Sequence, residues 1–142
     1  MLKDLLNWDK IMTADRYAGG HSEIMENLFI NAKVVGRYIE ENYQGSEAFA
    51  YKIAGKKYVL VVDYFGSCSG CDSWEGASDE EARNLCIQLA NNAHEFRSIG
   101  RMIDFILSNK KNAEVYDMRE AVPLAQIMIM GHEDRRVLFE KY

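Results

Sequence analysis

Glu47-Ala48-Phe49-Ala50-Tyr51-Lys52-Ile53-Ala54-Gly55-Lys56-Lys57-Tyr58-Val59-Leu60-Val61-Val62-Asp63-Tyr64-Phe65 is the stretch that decides the fold class. Both halves, Glu47 to Ile53 and Lys57 to Phe65, are rich in aromatic and β-branched side chains, which suit a pleated surface. Ala54-Gly55-Lys56 between them supplies the glycine of a tight turn, so the spacing predicts an antiparallel hairpin over about 47–65. In the second strand Tyr58, Leu60, Val62 and Tyr64 alternate with Val59, Val61, Asp63 and Phe65. Both faces are largely apolar, the pattern of a central strand.

Helices flank the hairpin on either side. Ile24, Leu28, Ala32, Val35 and Ile39 recur close to the rhythm of one helix face, predicting a long amphipathic helix from Ser22 to Asn42. Before it, Trp8 to Tyr17 reads as a short helix or an irregular arm, with a break at Gly19-Gly20. Ser78-Asp79-Glu80-Glu81 has the form of a capping box. It predicts a helix to Arg97 with Ala82, Leu85, Cys86, Leu89, Ala93 and Phe96 inward. Gly100 kinks or breaks that run, and Met102 to Leu107 resumes as a shorter helix. In the tail, Ala113 to Met118 reads as a further strand and Pro123 opens a helix; Ile127 to Met130 fits strand or helix equally. The fold class is therefore α+β, a small antiparallel sheet packed against amphipathic helices.

The 142 residues fit a single globular domain, 1–142, with no repeat or linker inside it. A chain of this size buries roughly 70% of its unfolded surface without disulfides. With 48% apolar and 27% charged residues the composition is globular, and no run approaches the ~18 apolar residues of a membrane span. The N-terminus mixes Asp4 and Asp9 with its apolar residues and lacks the form of a secretory signal, which predicts a cytoplasmic protein with reduced thiols. Seventeen basic against 22 acidic residues give a net charge of −5. Asp72, Glu75, Asp79, Glu80 and Glu81 follow one another without an intervening Lys or Arg, a field that repels phosphate backbones and favours basic partners. Basic residues occur as scattered pairs (Lys56-Lys57, Lys110-Lys111, Arg135-Arg136), so direct nucleic-acid binding is disfavoured.

The second strand runs into Gly66-Ser67-Cys68-Ser69-Gly70-Cys71-Asp72-Ser73-Trp74-Glu75, where two thiols, two acids and a tryptophan share one loop. Strand ends that feed loops are where rigid scaffolds commonly present functional groups. Three readings compete. The leading one is structural: Gly66, Ser67, Ser69 and Gly70 make a tight turn, and the cysteines act as compact hydrophobes under Trp74. The second is a zinc site, in which Cys68 and Cys71 chelate the ion and Cys86 with a histidine completes a tetrahedron. His94 stands eight residues beyond Cys86, about 80° around an ideal helix, while His21 and His132 are equally free to serve. The third is a redox or nucleophilic pair. It is disfavoured because Asp72 and Glu75 raise a thiol pKa and no βαβ pattern precedes the cysteines.

Other chemistry is no better marked. Asp63, Asp72 and Glu75 can pair as acid and base, but carboxylates near loops are usually solvated. There is no glycine-rich phosphate loop, His-Glu-x-x-His helix or Gly-x-Ser-x-Gly elbow. Trp74, set among polar and acidic residues, is the aromatic best suited to partner contact.

The run Phe65 to Glu75, followed by Ser78-Asp79-Glu80-Glu81 and Asn91-Asn92-Ala93, resembles small uncharacterised proteins of bacteriophages and other mobile elements. The resemblance implies an accessory protein that binds and inhibits or redirects a host enzyme or defence complex, and it carries over no catalytic residue. The sequence thus points to a non-catalytic protein-interaction module that contacts its partner through Asp72, Trp74 and Glu75 and holds no cofactor. The alternative is a zinc-stabilised module or thiol-dependent enzyme built on Cys68 and Cys71.

Overall fold

A computed structural model describes residues 1–14, 20–39, 45–53, 57–65 and 76–109. Four strands form one antiparallel sheet in the order β1 (Ala32–Ile39), β2 (Gly45–Ile53), β3 (Lys57–Phe65) and β4 (His94–Phe96). Helices α1 (Trp8–Thr13), α2 (Gly20–Glu26), α3 (Asp79–Asn92) and α4 (Ile99–Asn109) accompany it, after a 3₁₀ turn at Leu2–Leu5. The architecture is α+β, and the hairpin register runs from Gly45 opposite Phe65 to Ile53 opposite Lys57. β3 lies between β2 and β4, which explains why its sequence is apolar on both faces.

Two cores follow from that alternation. On one face Phe49, Tyr51 and Ile53 of β2 and Val59 and Val61 of β3 pack with Ile11, Ile24, Met25 and Leu28 beneath α1 and α2, and with Cys86, Leu89 and Ala90 of α3. On the other, Ala48, Ala50 and Leu60 meet Met102, Ile103 and Ile106 of α4. The small alanines of β2 face α4, while the aromatic residues fill the deeper space below three helices. The N-terminal segment is tied in by backbone bonds, the Asn7 N–H donating to the Leu28 carbonyl and the Ile30 N–H to the Leu5 carbonyl, both at 2.8 Å.

The structure corrects the sequence reading in three places. The single helix expected from Ser22 to Asn42 is instead α2, a turn, and strand β1. Asn31 makes the turn with a left-handed φ of 51°, a conformation asparagine tolerates better than most residues. Val34, Val35, Tyr38 and Ile39 are strand formers and Gly36 a poor helix residue, so pairing with β2 outweighs a periodicity that also fits a helix. A register shift between Val34 and Gly36 absorbs one residue, leaving Val34 packed on the first core and Val35 on the second.

The helix expected from Ser78 to Arg97 stops at Asn92, after two residues of low helix propensity. His94 to Phe96 then pair with Leu60 to Tyr58. Gly100 is no break. The interruption falls at Arg97-Ser98, where the Ser98 hydroxyl accepts from the Arg101 N–H at 3.2 Å, and Gly100 sits inside the first turn of α4. α1 realises the short helix read near Trp8, with Asn7 Oδ1 accepting from the Lys10 N–H. The turn at 54–56 and the readings of the tail from 110 onward lie outside the described residues.

Candidate functional site

The segment 66–75, read from the sequence as a loop, carries Cys68, Cys71, Asp72, Trp74 and Glu75 and lies outside the described residues; the residues on either side of it are described. It leaves the sheet at Phe65, opposite Gly45. It returns at Gly76, whose φ of 69° is in the left-handed region that favours glycine, and passes through the buried Ala77 into α3. There the predicted capping box is complete: the Ser78 hydroxyl accepts from the Glu81 N–H at 3.2 Å, and the Glu81 carboxylate accepts from the Ser78 N–H at 3.1 Å. The bond from the Ser78 N–H, with the Ser78 hydroxyl beside the carboxylate adding to it, holds the Glu81 carboxyl below the usual carboxylate range.

Three residues before Gly66, Asp63 is partly buried directly opposite Glu47 of β2, which is 0% exposed. Residues paired across an antiparallel ladder share a face, so both carboxylates lie on the side of Tyr51 and Cys86. Burial pushes the Tyr51 phenol well above its ordinary value, and the nearby Glu47, Asp63, Cys86 and Glu26 add to that rise. The hydroxyl stays protonated and donates to the Met25 carbonyl at the end of α2. Its ring meets Phe29 edge-on at 5.1 Å and stacks on Phe49 at 6.1 Å. Glu26, for its part, is ion-paired with Arg37 of β1. A pair of facing carboxyl groups thus lies within the sheet face, near the point where β3 ends. One sign of it is visible locally, a glutamate and an aspartate at odd positions among Phe49, Tyr51, Val59 and Val61; the match of Glu47 with Asp63 follows only from the register.

Of the residues considered for zinc, Cys86 is buried in α3 on the first core. His94 is in β4, opposite Leu60 and therefore on the α4 side, with its ring 4.7 Å from Phe105. The sheet stands between them. The helical geometry that would bring them to one flank does not arise, because α3 ends at Asn92. Burial lowers the His94 pKa, favouring the neutral ring. His21 lies in α2, and His132 is outside the described residues. Among the described residues, no three His, Cys, Asp or Glu side chains are grouped to hold a metal ion. No described helix is long and apolar enough to cross a membrane.

Comparison of the chain with family models, with curated proteins and with solved structures finds no match.

Proposed function

We propose that this chain is a small non-catalytic protein-interaction module whose acidic Cys-Trp loop forms part of the contact surface. The observation that carries the reading is the anchorage of that loop. One end is the last residue of a strand paired with β2, and the other is a helix N-terminus closed by a reciprocal capping box. A ten-residue loop held at both ends loses less entropy on binding than one hinged at a flexible arm. Its Asp72 and Glu75 supply charge, and Trp74 supplies contact area at low entropy cost. A basic surface on the partner is the complement. In line with the resemblance to phage and mobile-element proteins, that partner is a host enzyme or defence complex.

The test is capture from host extract by the unaltered chain and by a chain carrying Asp72→Lys and Glu75→Lys, with melting measured on both. Charge reversal at these two positions leaves melting nearly unchanged and removes the captured partner. Undiminished capture by the reversed chain overturns the reading.

A further inference from the structure

The cations of the sheet are treated differently on its two faces. On the face of α1 to α3, Arg37 is ion-paired with Glu26, and Lys57 with Glu95 at 2.8 Å. On the α4 face, Lys33 of β1 stands directly opposite Lys52 of β2, and among the described residues no carboxylate lies within ion-pairing distance of either. Like charges opposite one another in an antiparallel ladder destabilise it. This pair therefore works against the isolated fold.

The register extends the row across the whole sheet: Lys52 is opposite Tyr58 of β3, and Tyr58 opposite Phe96 of β4. The Lys52 ammonium sits 6.0 Å from the centre of the Tyr58 ring, and Phe96 packs 5.3 Å from Phe105 of α4. Past β4 the surface opens into a groove lined by Phe96, Phe105, Arg97, Arg101 and Ser108, with Asp104 and the Lys57-paired Glu95 also on its walls. Neither arginine has an ion-pair partner among the described residues. The result is a pair of aromatic rings with two cations at each end, about 14 Å across the three inter-strand steps from Lys33 to Phe96.

We propose that this row docks an extended acidic segment of a partner protein. Carboxylates of the segment meet Lys33 and Lys52 at one end and Arg97 and Arg101 at the other, and an apolar or aromatic side chain between them rests on Tyr58 and Phe96. Five extended residues at roughly 3.3 Å each match the span. A short acidic peptide suits the row better than a nucleic acid, because a chain of net charge −5 repels a long phosphate backbone and the row offers only four cations. A carboxylate seated between Lys33 and Lys52 turns their repulsion into attraction. The row crosses β3 at Tyr58, at the far end of that strand from Phe65, so it is separate from the loop attachment and stands or falls apart from the loop's own role.

The test is fluorescence anisotropy with a labelled pentapeptide of one tryptophan flanked on each side by two glutamates. Controls are the same peptide with glutamines and a short oligothymidylate. The glutamate peptide binds, more weakly as salt is raised, and the glutamine peptide does not. Lys33→Glu with Lys52→Glu weakens binding about tenfold or more at an unchanged circular dichroism spectrum, and Arg101→Glu, at an exposed position of α4, does so separately. No binding of the glutamate peptide, equal binding by the reversed variants, or tighter binding of the oligothymidylate overturns the proposal.

Discussion

Replacing Tyr51 by Phe isolates one oxygen atom. The ring keeps its edge contact with Phe29 and its stack on Phe49, so apolar burial is nearly unchanged and no cavity larger than a hydroxyl is left. The loss is the bond to the Met25 carbonyl, which ties the C-terminal end of α2 to the middle of the sheet. Tyr51 and Met25 are both fully buried. A buried carbonyl deprived of its donor costs about 1–3 kcal/mol, and the substitution also removes the expense of desolvating the hydroxyl, leaving a net of about 1–2 kcal/mol. For a domain of this length that is a fall in Tm of roughly 3–8 °C. Thermal melting followed by circular dichroism measures it, and amide hydrogen exchange of α2 accelerates more than that of α3. A Tyr51→Phe variant that melts at or above the original temperature refutes the reasoning, since the hydroxyl would then contribute nothing.

The same phenol gives an alkaline signature. Its folded pKa lies above its unfolded value, so stability is intact below about pH 10 and declines as pH rises beyond it. Ultraviolet titration at 295 nm shows one of the eight tyrosines ionising only with the unfolding transition. His94 has the opposite sign: burial lowers its folded pKa, so the unfolded chain takes up the proton first and stability falls as pH drops below about 6.5. Denaturant midpoints between pH 7.5 and 5.5 show that slope, and His94→Leu flattens it. Ser78→Ala removes the cap of α3 at a cost of about 1 kcal/mol, and NMR titration finds the Glu81 carboxyl back toward its ordinary range.

The parts of the fold legible in the sequence were those where local chemistry and tertiary packing agree. The hairpin, the capping box at Ser78 and the apolar stripe of α3 each have one reading, and pairing or burial reinforces it. Residues 32–39 are the opposite case. Ala32, Val35 and Ile39 lie at helical spacing, yet the same eight residues contain Val34, Val35 and Tyr38, and only the presence of β2 alongside decides between the two. That misreading hid the lysine row, because Lys33 meets Lys52 only if β1 exists. The pair of facing carboxyl groups was hidden for a similar reason: Glu47 and Asp63 are sixteen residues apart, and nothing local marks them as neighbours. Cys86 was legible as a core residue from its place in the helical stripe, while His94 was placed on the wrong element because Asn91 and Asn92 end α3 before it.

A sheet that is apolar on both sides is also a partition. Among the described residues, sixteen buried side chains make up the core beneath α1, α2 and α3, against six in the core under α4. Because the strands lie between them, α4 can lift away without admitting water to the larger core. The molecule is then expected to open in two stages, with the α4 layer as the less stable cooperative unit and the β2–β3 ladder exchanging its amides last. Whatever binds at Phe96, Phe105 and Arg101 grips that layer, so occupancy there should slow exchange along α4 and leave the helices of the other face as they were.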